Sequence, residues 1–99
     1  MHYTKTELKE AQVVMDLGFD RFRPREDGRD EQFLASREIE INLSKHKIEV
    51  SYLDAAQSVM VLWKDQEIGC FGAHIDSPEM LDGIFKMAEA KIQQLLDWN

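Results

Sequence analysis

Apolar positions recur at helical spacing near both ends of this chain and alternate with polar ones through its middle. Leu8, Ala11, Val14, Met15 and Leu17 form a loose stripe with a period near that of a helix, which predicts a helix over residues 4–18. Thr4 and Glu7 have the spacing of a capping box at its start, and Gly18 is placed to end it in a left-handed turn. A cleaner stripe follows later: Leu81, Ile84, Phe85, Ala88, Ile92 and Leu95. Ser77 stands as N-cap ahead of Pro78, whose missing N–H costs nothing at a first helical position, so a second helix is predicted from there to about Asp97.

Between these helices the period is two. Phe33, Ala35, Ile39, Ile41 and Leu43 oppose Ser36, Glu38, Glu40 and Asn42, the pattern of a half-buried strand over 33–43. Ser44-Lys45-His46-Lys47 reads as a hairpin turn. A second strand over 48–53 turns Ile48, Val50 and Tyr52 one way and Glu49 and Ser51 the other, and residues 54–57 form the next turn. Residues 58–64 are apolar on both faces. A fourth strand over 67–73 is weakened by Gly69 and Gly72. The segment 20–32, broken by Pro24 and Gly28, is predicted as a charged loop whose length marks it as functional or disordered. The order implies one α+β domain over residues 1–99: an antiparallel β-meander of about four strands flanked by an N-terminal and a C-terminal α-helix. The short connections require antiparallel pairing, since a parallel crossover needs about a dozen residues.

Strand parity then sorts the side chains. Ile39, Ile41, Leu43, Ile48, Val50, Tyr52, Val59, Val61, Trp63, Ile68 and Cys70 are assigned to the helix-covered face. Leu53, Met60, Leu62 and Phe71 fall on the other. If both helices lie on one side, those four form an exposed apolar interface, which would also serve a homodimer. If the first helix, or Phe33 with the charged loop, covers that face, they are simply buried. Trp63, Tyr52, Phe85 and Phe19 read as core; Trp98 either packs back on the sheet or is open to a partner.

Charge changes the picture. Twelve basic side chains stand against 19 acidic ones, a net −7, which disfavours direct binding to nucleic acid or anionic lipid. An apolar content of 43 % excludes wholesale disorder. The longest apolar run, Val59 to Trp63, is far short of the roughly 20 residues of a membrane span, and Met1 to Lys5 has no secretory h-region, so no membrane partner is expected. One cysteine, Cys70, permits no intrachain disulfide, which fits a cytoplasmic setting. The acids are unevenly spread. Between Lys64 and Lys86 there is no basic residue, yet Asp65, Glu67, Asp76, Glu79 and Asp82 supply five of the seven net charges. Turns and a helix start give each acid a local reason. They do not explain the missing Lys and Arg, and these five residues are the expected partner-binding set.

Two other constellations carry chemistry. Arg21, Arg23, Arg25 and Arg29 surround Phe22 and could fork onto phosphates while the ring stacks on a base. The interleaved Asp20, Glu26, Asp27, Asp30 and Glu31 favour a salt-bridged loop instead. His74, Asp76 and Glu79 offer nitrogen and oxygen to a metal, but Cys70 lies roughly 13 Å from His74 along a strand, and structural zinc needs four ligands at recognisable spacings. His46 falls in a turn among lysines. No glycine-rich phosphate loop, Gly-x-Ser-x-Gly or His-Glu-x-x-His occurs. No catalytic, cofactor or metal residue is therefore assigned. The expectation is a non-enzymatic acidic protein that binds, and in one version inhibits, a basic protein. A phage or mobile-element inhibitor of a nucleic-acid enzyme is an example. The alternatives are a nucleic-acid-binding regulator using the Arg21–Arg29 loop, an immunity- or chaperone-type binding module, and, last, a small metal-dependent enzyme using His74 and Asp76.

Overall fold

A computed structural model describes residues 5–98, leaving aside the side chains of residues 5–8. The predicted Thr4–Glu7 capping box and the Leu8 side chain fall outside what is described. Helix α1 (Lys5–Met15) is followed by β1 (Arg21–Arg23), β2 (Gln32–Ile41), β3 (Ser44–Leu53), β4 (Ser58–Trp63), β5 (Gln66–Gly72) and helix α2 (Pro78–Asp97). The fold is α+β, and its single sheet runs in chain order, β1-β2-β3-β4-β5, with every neighbouring pair antiparallel. There are five strands rather than four because part of the charged loop pairs: Phe22 lies opposite Phe33 in a short edge strand. The Phe22 ring sits 5.0 Å from that of Phe33, so burial of an aromatic pair anchors the segment.

The turn between β2 and β3 is not Ser44–Lys47. It is Asn42-Leu43, with φ of 52° and 67°. Two residues at positive φ match the right-handed twist of the strands they join, and asparagine enters that region readily. The chain therefore reverses earlier, and Ser44–Lys47 gains ladder bonds as part of β3. Leu43, expected in the core, sits at the hairpin tip and is 93 % exposed. His46 is carried onto the core face opposite Ile39, where Trp63 Nε1 donates to its Nδ1 at 3.2 Å.

Both helices pack on the same face of the sheet, and one continuous cluster joins Ala11 of α1, the inward residues of β2, β3 and β4, and Leu81, Ile84, Phe85, Ala88 and Ile92 of α2. Helix α1 ends at Met15, whose carbonyl accepts from both Gly18 and Phe19 N–H groups. Gly18 has φ +128°, and a Cβ there would come within 3.1 Å of Leu81 Cδ2, so only glycine lets the end of α1 approach α2 this closely. Ser77 Oγ caps α2 by accepting from the Met80 N–H. At the far end Leu96, four residues after Ile92, turns inward, while Leu95, expected there, is 39 % exposed.

The β4–β5 ladder holds the largest departure from simple alternation. Leu62 pairs with Glu67 but Val61 pairs with Gly69, so Ile68 is the extra residue of a β-bulge. Beyond it the parity of β5 inverts. Phe71 faces the core opposite Val59, and Cys70 lies outside, exposed, opposite Met60. The expected assignments of Cys70 and Phe71 are thus exchanged. Ile68 keeps its expected contact with the core.

Leu43→Gly tests the turn. Left-handed backbone costs a leucine about 1–2 kcal/mol, partly offset by the greater entropy glycine loses on folding. The variant should be more stable by about 0.5–1 kcal/mol, read from urea unfolding midpoints; a lower midpoint would refute this account of the hairpin.

Candidate functional site

The five carboxylates of the basic-free stretch do not form one cluster. Asp65 and Glu67 lie on the β4–β5 hairpin, and Asp76 and Glu79 flank the Ser77 cap beyond the end of β5. At about 3.3 Å per residue, β5 separates the two groups by roughly 20 Å. All four are exposed, and none makes an ion pair with another described residue. Asp82 is different. It pairs with Arg37 of β2, whose guanidinium holds the Asp82 carboxyl below the usual carboxylate range and also stacks 4.3 Å from the Phe85 ring centre. That charge is neutralised within the fold.

Between the two acidic ends runs an open strand edge. β5 is the last strand of the sheet, so every other residue turns its N–H and C=O away from β4. The edge carries no lysine, arginine or proline, the usual guards against strand addition. Beside it, α2 and the bulged strand form a groove of about 330 Å³ lined by Ile68, Gly69, Phe71, Met87, Ala88 and Lys91. The bulge helps to shape it: Ile68 and Gly69 both face the helix side, and glycine leaves the space empty. Met87, at 55 % exposed, is open to solvent. The sequence pattern did not point to this groove, because it depends on the inverted parity of β5; the exposed methionine on the flank of the α2 stripe was the available signal.

The outer face of the sheet is uncovered by either helix. Leu53 and Leu62 are half-buried there beside exposed Met60, and Leu34 is buried in the same row as Ser51 and Met60. Phe71, grouped with them from the sequence, is on the core side. The segment after β1 approaches this face near Leu53, where Arg23, Pro24, Arg29 and Gln32 share a depression with Glu26 and Asp30. The arginines do not form a cationic cluster. Arg21 Nη2 donates to Glu49 at 2.7 Å, which with nearby Asp20 raises its affinity for its proton, and Glu26 and Arg29 exchange backbone bonds in a turn. Arg25 is also engaged.

The histidines are drawn into structural networks. The Tyr52 hydroxyl donates to Asp54 Oδ1 at 2.7 Å, accepts from the Ile75 N–H at 3.1 Å, and lies 3.3 Å from His74 Nδ1. His74 therefore turns toward Tyr52 and Asp54. Among the described residues no three His, Cys, Asp or Glu side chains converge as a metal site. His46 is buried. Its Nδ1 accepts from Trp63, which leaves the proton of the neutral ring on Nε2, a buried atom without a partner among the described residues. Trp98, past the end of α2, is 88 % exposed. No protein-family model, curated protein or solved structure matches this chain.

The Tyr52 network generates a pH-dependent prediction. Burial, then the bond to Asp54, pushes the phenol up to about 12 from an ordinary value of 10. Below pH 10 the hydroxyl is protonated in both folded and unfolded chains. Between pH 10 and 12 the unfolded chain ionises first, so the phenol's contribution to stability is lost as pH rises. Tyr52→Phe strands the Ile75 N–H and should cost about 1–3 kcal/mol at pH 8. The gap between the two proteins in urea unfolding should narrow from pH 10 to 12; a constant gap would refute the network.

Proposed function

We propose that this protein is a non-enzymatic interaction module that docks a basic protein along the β5 flank. The observation that carries the reading is the set of exposed carboxylates, Asp65, Glu67, Asp76 and Glu79, unpaired among the described residues, at the two ends of an open strand that has no basic residue. Complementary charge of that kind speeds encounter and orients the partner before short-range contacts form. The apolar lining between the ends supplies the desolvated centre that interfaces need. A partner with a surface built for phosphates is the natural complement, so inhibition of a nucleic-acid enzyme, of phage or mobile-element type, is one form of this role. The pairing of Arg21 with Glu49 weighs against the nucleic-acid-binding alternative, since it removes a guanidinium from phosphate contact.

The proposal is tested by capture from an extract of the native host with the wild-type chain and with the Glu67→Lys/Glu79→Lys double variant. Proteins held by the wild type alone should be basic, and should elute as ionic strength rises past a few tenths molar, where the screening length falls below about 6 Å. Equal capture by both chains, or retention indifferent to salt, would end the proposal. A gel shift with generic DNA and RNA should show no complex.

A further inference from the structure

We infer that β5 takes up an extended, cationic segment of its partner as a sixth strand of the sheet, with alternate side chains of that segment entering the groove between β5 and α2. The inference rests on the docking role proposed above and gives it a mode. Three independent features converge. The outward N–H and C=O groups of β5 have no strand to bond among the described residues. A groove of about 330 Å³ with Ile68, Phe71, Met87 and Ala88 on its walls lies beside them. Carboxylates stand at both ends of the strand, and β5 itself has no basic residue. Strand addition uses these elements in this combination: backbone bonds supply affinity, and pockets for every second side chain supply selectivity.

Charge decides the occupant. Two copies of this chain pairing through β5 about a two-fold axis would run antiparallel, bringing Asp65 and Glu67 of one against Asp76 and Glu79 of the other. Like charges at both ends oppose that dimer. A lysine- or arginine-bearing strand meets Asp76 and Glu79 at one end, and at the other Glu67 with Asp65, the latter beside Lys45, Lys47 and Lys64. Lys91, on the helix side of the groove, is the cation such a segment must pass, so removing its charge should tighten binding.

The probe is a synthetic peptide of about eight residues alternating lysine and valine, the length of an ordinary strand. It is titrated into the 99-residue chain with amide hydrogen exchange as the readout. Binding should weaken as salt rises from about 50 to about 200 mM. Amides within Gln66–Gly72 should become protected. N-methylation of the peptide at ladder-facing positions should weaken binding roughly fivefold for each lost bond, while methylation at the intervening positions should not. Lys91→Gln should bind more tightly, and the corresponding glutamate–valine peptide should not bind. Salt-sensitive binding that ignores N-methylation and leaves the β5 amides unprotected would overturn strand addition while leaving the docking role standing. Equal binding of the lysine and glutamate peptides, or no binding of either, would overturn both. Protection of β5 without peptide, in a protein that sediments as a dimer, would assign the edge to a second copy and overturn the inference.

Discussion

The Tyr52 hydroxyl ties together parts of the chain that no secondary structure connects. Its ring is fully buried, with Phe19 stacked at 5.8 Å and Phe33 nearby. Its oxygen joins the turn after β3, through Asp54, to the segment between β5 and α2, through Ile75. Ile75 is buried in turn, although it lies in neither helix nor strand. A loop residue with a satisfied N–H can be buried at little cost, and burying it fixes where α2 begins. The helix that forms one wall of the groove is therefore positioned by a hydrogen bond at the opposite end of β5 from the hairpin.

The second constraint is that both helices pack on one face of the sheet. The outer face is therefore only partly covered, with Leu34 and Ser51 buried beside exposed Met60, and the β5 edge stays open among the described residues. An open edge is a hazard for a folded chain, and acidic ends are one means of discouraging self-pairing. The same charges that keep two copies apart would attract a cationic segment. Protection against self-association and attraction of a partner thus come from one feature, and the bulge at Ile68 adds the space beside it.

Much of this architecture was legible in the sequence. The stripe of α2 and its Ser77-Pro78 start were unambiguous, since periodicity and capping agreed. The alternation of β2, β3 and β4 sorted nearly every inward side chain correctly, Tyr52 and Trp63 included. Errors arose where a local pattern admitted two geometries. Ser44–Lys47 is polar enough for a turn, but Asn42 tolerates left-handed backbone and lets the hairpin close earlier. Cys70 and Phe71 were exchanged because a bulge inverts parity without any residue that demands it; glycines at 69 and 72 warned of irregularity but not of its direction. The Arg21–Arg23 strand was hidden by charge, as its pairing depends on the contact of Phe22 with Phe33.

The amino-acid sequence by itself determined the two helices, the extended segments from β2 to β5, their meander order and the acid-rich stretch without bases, because each follows from local dihedral preference, from which faces are apolar, or from counting charges. Tertiary structure alone decided that Asp82 is neutralised by Arg37, 45 positions away, that the other four acids lie at two ends of one strand, and that this strand is an edge beside a groove. Those properties arise from contacts between residues distant in the chain, and the energy of such contacts leaves no periodic trace in the segments that make them.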